Sequence, residues 1–183
     1  MTTARIARGD LAGLDALEVD ALALPLFAVR TQPQAVAGLA DWRLSGRIAR
    51  LIKSGRFTGL AGEALLMLGL GRVGAERIFL LGLGERKAAD AVNLDAAVKV
   101  LEQALARKVA FGASVAGEDE VGLVRAFLQA VGKRRTAFDE IILLDPDGRL
   151  EAARAALTKL AGGLGITLLA ATAVSEATPT PEA

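Results

Sequence analysis

From Asp20 to Val29 the chain reads DALALPLFAV, an almost unbroken apolar run. Such a run predicts a strand buried on both faces. Pro25 within it predicts a bulge, or the point where ladder pairing stops, because proline has no N–H to donate. Shorter runs at Ala4–Arg8, Ala64–Leu68, Arg77–Leu83, Lys108–Ser114, Asp139–Leu144 and Ile166–Ala170 read as further strands. A different period sets in after Asp41, where Leu44, Ile48, Leu51 and Ile52 recur at helical spacing. Asp41 is the expected N-cap of that helix and Gly55 its C′ residue, with Lys53 in the last turn. Asn93–Arg107 predicts a second helix, capped by Asn93, with Leu94, Val98, Leu101 and Leu105 on one face. Asp119–Val131 predicts a third, burying Val121, Val124, Phe127, Leu128 and Val131, and Leu150–Ala161 a fourth.

Strands alternating with helices in the second half imply a parallel sheet covered on both sides. The strands flanking residues 69–76 are joined by a connection too short for a crossover, so that pair is expected to be antiparallel. The architecture predicted is an α/β fold, a three-layer α/β/α sandwich around a mixed, mostly parallel sheet. No internal repeat is visible.

Composition narrows the chemistry. The 183 residues suit one domain, placed at 1–172, and residues 173–183, with two prolines and no large apolar side chain, read as a disordered tail or linker. Net charge is +1, so there is no bulk attraction to nucleic acid or anionic membrane. The chain has no cysteine, histidine or tyrosine. This removes thiolate and imidazole ligands, the Cys nucleophile and the commonest general base. No apolar run approaches the roughly 20 residues that span a bilayer, and MTTARIARGD lacks a signal-peptide core. The expected location is the cytoplasm. Neither a catalytic set, a metal site nor a cofactor is assigned from these residues.

Gly69-Leu-Gly71-Arg-Val-Gly74 matches a dinucleotide fingerprint, but a strand follows where a helix must begin, so it reads as a hairpin turn. Gly82 and Gly84 open a second partial match that fails at Lys87. In the loop KSGRFTGLAGE, Ser54, Arg56 and Thr58 with the amides of Gly55, Gly59 and Gly62 form a candidate anion nest. The plainer reading is a turn from helix to strand. Lys133-Arg134-Arg135 closes a helix, where cations suit the dipole, and no aromatic residues interleave it. Trp42, with Arg43 and Arg50, is the surface candidate for a protein contact, since Trp and Arg are enriched at interfaces.

The string DWRLSGRIARLIKSGRFTGLAGE, followed by ALLML and RIFLLGLGER, resembles the N-terminal domain of the leucyl aminopeptidase family of metallopeptidases. The resemblance covers residues 5 to 170 and implies a macro-domain-like unit that precedes a separate catalytic domain. Residues 131–150, VGKRRTAFDEIILLDPDGRL, echo in Lys133, Asp139, Asp145, Asp147 and Arg149 the family's two metal-binding segments. In the family those segments lie far apart, whereas here one strand separates them, so a strand ending in a DPDG turn is preferred. ARGDL…EVDALALPLF is similar to the start of a macro domain, which would set Asp10 where the adenine amino group is received. The family's Asn-Ala-Ala-Asn strand end is Leu24-Pro25-Leu26-Phe27, without the amides that hold the distal ribose. The resemblance implies a non-catalytic domain for assembly or regulation, with a protein partner or homo-oligomer. A binder of ADP-ribose or a related nucleotide, and a piece of a longer active aminopeptidase, are the alternatives.

Overall fold

β2 (Val19–Leu26) lies inside the sheet, paired in parallel with β4 (Ala75–Gly82) on one side and β5 (Lys108–Gly112) on the other. The computed structural model describes residues 2–28, 32–85, 92–113, 118–135 and 138–170. Beyond β5 come β6 (Glu140–Asp145), β1 (Thr2–Arg8) and β7 (Ile166–Leu168), all parallel. β3 (Ala64–Leu68) is antiparallel to β4 and forms the other edge, giving the order β3-β4-β2-β5-β6-β1-β7. Pro25 keeps its register opposite Leu81, while the ladder to β5 ends at Ala23.

The apolar run of β2 divides by parity. Leu22 and Leu24 pack with α1 (Leu11–Asp15), α2 (Ala35–Arg43) and α3 (Arg47–Lys53) through Leu14, Val36, Ala40 and Ile48. Ala21 and Ala23 face the layer of α4 (Asp95–Gln103), α5 (Glu118–Arg134), α6 (Arg149–Ala152) and α7 (Arg154–Gly163). Phe111 of β5 and Phe127 of α5 stack there at 4.2 Å between ring centres. The three-layer, mostly parallel α/β/α sandwich is therefore the fold.

The sequence reading needs three local corrections. Asp41 lies in the last turn of α2, a helix of small residues not expected from the pattern. The chain breaks at Ser45 and Gly46, both at positive φ, before α3 begins. Asp41 still caps: its Oδ1 accepts from Ile48 N–H at 2.7 Å and Ala49 N–H at 3.1 Å, across the break. Leu105 does not join the stripe of α4, because the helix stops at Gln103 and Leu105, at φ 54°, turns out into solvent. The fourth helix is two, α6 and α7, parted at Ala153.

Candidate functional site

The hairpin between β3 and β4 accounts for the glycine fingerprint. Arg72 N–H closes on the Gly69 carbonyl at 3.0 Å, with Leu70 and Gly71 both at positive φ, the backbone of a tight hairpin turn. A Cβ on Gly69 would stand 2.0 Å from the Ala75 carbonyl oxygen. The glycines serve chain reversal.

Asp10 stands where β1 hands over to α1. Its Oδ1 accepts from Gly13 N–H at 2.8 Å, capping α1, and its Oδ2 accepts from Arg8 Nε at 2.9 Å. The Gly13 amide, then Arg8, hold its carboxyl below the usual carboxylate range against partial desolvation. Beside it a cleft of about 430 Å³ opens at the carboxyl ends of β1 and β6, lined by Arg8, Asp145, Pro146, Gly148 and Glu151. Asp145 Oδ2 accepts from Glu151 N–H at 2.9 Å, while its Oδ1 is buried without a partner.

The loop after α3 does hold an anion, one of the chain's own. The Glu63 carboxylate accepts from Thr58 N–H at 2.9 Å, Thr58 Oγ1 at 2.7 Å and Leu60 N–H at 3.2 Å. Desolvation pushes the Glu63 pKa up, but the Thr58 hydroxyl and these amides outweigh it and leave it lowered. Ser54 Oγ donates to the Leu51 carbonyl at 3.1 Å, and Arg56 is exposed. Thr58 thus meets a carboxylate as a nest residue would, while Ser54 belongs to the end of α3.

Trp42, 63% exposed, is the most prominent aromatic surface among the described residues, with the Arg43 guanidinium 5.2 Å from its ring. Arg43 also pairs with Asp15 of α1, and Arg50 donates to the Ser45 carbonyl at 2.7 Å. Of these three, Trp42 alone presents its side chain to solvent without an intramolecular hydrogen bond or ion pair.

Of the residues that echo a metal site, Lys133 and Asp139 are drawn into ion pairs of their own. Lys133 pairs with Asp95 at 2.5 Å and Asp139 with Arg107 at 3.0 Å. Among the described residues no cluster of three acidic groups fit to hold a metal ion occurs. Glu120 is a residue the sequence reading passed over. It is wholly buried, with both carboxylate oxygens unpartnered. Burial, then Asp145 and Asp147, push its pKa up to about 7 against the pull of Arg149. A signal was present: Glu120 falls at helical spacing with Val124, Phe127 and Val131 in an otherwise apolar stripe.

Comparison with known proteins adds to this geometry. Residues 23–132 match the family model described as cytosol aminopeptidase family, N-terminal domain. A probable cytosol aminopeptidase of Nitrosococcus oceani is 46% identical over 66 residues, which is 34% of this chain and 13% of that protein. A mutant tomato leucine aminopeptidase superposes with a TM-score of 0.61 at 16% identity, over 88% of this chain and 36% of that one. A Trypanosoma brucei macrodomain, solved in complex with ADP, superposes with a TM-score of 0.53 at 16% identity, over 87% of this chain and 67% of that one. The chain therefore matches about an eighth of the length of the Nitrosococcus oceani relative. No helix among the described residues is long and apolar enough to cross a membrane.

Proposed function

The chain belongs to the cytosol aminopeptidase family as its N-terminal domain, and from that premise we propose that it serves protein assembly or regulation, through self-association or control of a partner enzyme. One observation carries the reading. Large apolar side chains stand in solvent, among them Trp42 at 63%, Leu66 at 54%, Leu68 at 55% and Leu70 at 65% exposure, while Asp10 and Glu63 are engaged within the chain. Exposed aromatic and aliphatic clusters are what a protein partner covers. The peptidase activity of longer relatives is attached to none of these residues. A tagged copy is expected to retain a second copy or a cytosol aminopeptidase subunit, and Trp42→Ala to weaken that capture. Capture of neither would overturn the proposal.

A second reading rests on the cleft beside Asp10, at the strand ends where open α/β sheets take their ligands. The trypanosomal macrodomain holds ADP on the same fold. Here an adenine amino group would share the Asp10 carboxylate with the Gly13 amide and Arg8. Thermal unfolding with ADP-ribose and ADP decides it: a ligand at about 100 times its Kd stabilises by about 2.7 kcal/mol. Unchanged melting is the result expected, and a saturable rise would make the cleft the working site.

A further inference from the structure

β3 has one face covered and one bare. Met67 is buried and Leu65 partly buried against the α1–α3 layer. Ala64, Leu66 and Leu68 point to the opposite side of the sheet, where α4 and α5 cover Phe79 and Leu81 of β4 but not the edge strand. Arg77, opposite Leu68, reaches back to the Ala104 carbonyl at 2.6 Å, and the outturned Leu105, 80% exposed, follows directly. The bare face thus runs from β3 toward the end of α4.

The backbone of β3 is open as well. Gly69 N–H bonds to the Glu76 carbonyl at 2.9 Å, and Gly82 N–H to the Glu63 carbonyl at 2.7 Å. By the alternation of an antiparallel ladder, the odd residues of β3 face β4, and Ala64, Leu66 and Leu68 turn their N–H and C=O groups outward. Natural edge strands are guarded by charge, proline or a bulge. Ala64–Leu68 has no charge and no proline, and its register to β4 runs without a bulge.

We propose that this edge pairs with β3 of a second copy of the chain, antiparallel and centred on Leu66 across a two-fold axis. The proposal deepens the assembly reading and rests on it. An outward row of N–H and C=O groups accepts an extended strand. The strand complements itself: Leu66 meets Leu66 of the partner subunit, and each Leu68 lies beside the small Ala64. No charge on the strand favours a different partner or opposes a like one. Two-fold pairing also closes the assembly at a dimer, because the same β3 edge is used up on both copies. A contact of one short strand and a few leucines lies at the small end of stable interfaces. A concentration-dependent equilibrium is therefore expected.

Sedimentation equilibrium of the full chain from about 1 to about 200 μM tests this range, which suits weak association. A monomer converting to a dimer is the expected result. Leu66→Pro removes an outward N–H without touching the ladder to β4 and is expected to leave a monomer. Leu68→Lys is expected to shift the midpoint at least tenfold to higher concentration, and more so at low salt. Far-ultraviolet circular dichroism and melting of the diluted variants check that they fold. A wild type monomeric throughout, a dimer that survives in both folded variants, or growth beyond two copies would overturn the proposal. A monomer that still retains a cytosol aminopeptidase subunit would defeat strand pairing and leave the assembly reading standing.

Discussion

At the carboxyl ends of β1 and β6, polar side chains are held by the chain itself: Asp10 by Gly13 and Arg8, Asp145 by the Glu151 amide. Along β3 no strand among the described residues pairs with the outward backbone, and Leu66 and Leu68 are more than half exposed. A ligand in the pocket would share polar groups already bonded within the chain, whereas an open edge gains bonds when it is paired. Under the proposed assembly, recognition lies at the edge. On the cleft side two features stay unsatisfied: Asp145 Oδ1, and the carboxylate of Glu120, which is wholly buried.

The contrast is broken most severely from the buried side of β3. Met67→Asp places an unpaired carboxylate in the core and is expected to cost about 3–5 kcal/mol, against about 0.5 kcal/mol or less for the outward Leu68→Lys. Urea unfolding at a concentration where the chain is monomeric measures both. Equal losses would show that the two faces of the strand are not distinct.

Glu120 gives the next largest effect, and its direction depends on pH. Below about pH 4.5 the folded and unfolded chains both hold the proton, and the group is neutral toward folding. Between there and about pH 7 the unfolded chain ionises while the native one keeps its proton, so stability falls as pH rises across that window. Glu120→Gln, which mimics the protonated acid, is expected to add about 3 kcal/mol at pH 8 and almost nothing at pH 4. Melting curves at the two pH values check it, and a gain equal at both would mean that the carboxyl does not titrate in the fold.

Smaller effects sharpen the comparison. Glu63→Ala leaves the Thr58 and Leu60 amides without their acceptor and is expected to cost about 1–2 kcal/mol, read as a lower urea midpoint. If inorganic phosphate then stabilises the variant more than the native chain, the loop is an anion nest filled by its own glutamate. Trp42→Ala is expected to change stability by about 0.5 kcal/mol or less, because the ring is mostly in solvent. Its effect belongs in partner capture.

Much of this was legible beforehand for physical reasons. A strand buried on both faces has a continuous apolar signature, and β2 shows it. The six-residue connection from β3 to β4, residues 69–74, could only reverse the chain, and it does. Local breaks were hidden, because they depend on backbone conformation that periodicity does not encode. Asp41 looked like an adjacent cap and acts as one from seven residues away, since the chain turns at Ser45 and Gly46. Leu105 matched the spacing of a stripe whose helix had already ended. The nest loop was readable from its glycines, but the carboxylate that occupies it was not, because Glu63 enters it from the start of the next strand. Residues 173–183, where a tail is expected, lie outside the described residues.

Hydrogen exchange at the Ala64, Leu66 and Leu68 amides, followed against protein concentration, tests the central claim most directly. These N–H groups are expected to exchange fast in dilute solution and to gain protection as concentration rises, while the Leu65 and Met67 amides, bonded within the sheet, stay protected throughout. Rapid exchange of all three outward amides at every concentration, together with new protection around Asp10 and Asp145 on adding ADP-ribose, would contradict the account and return the function to the cleft.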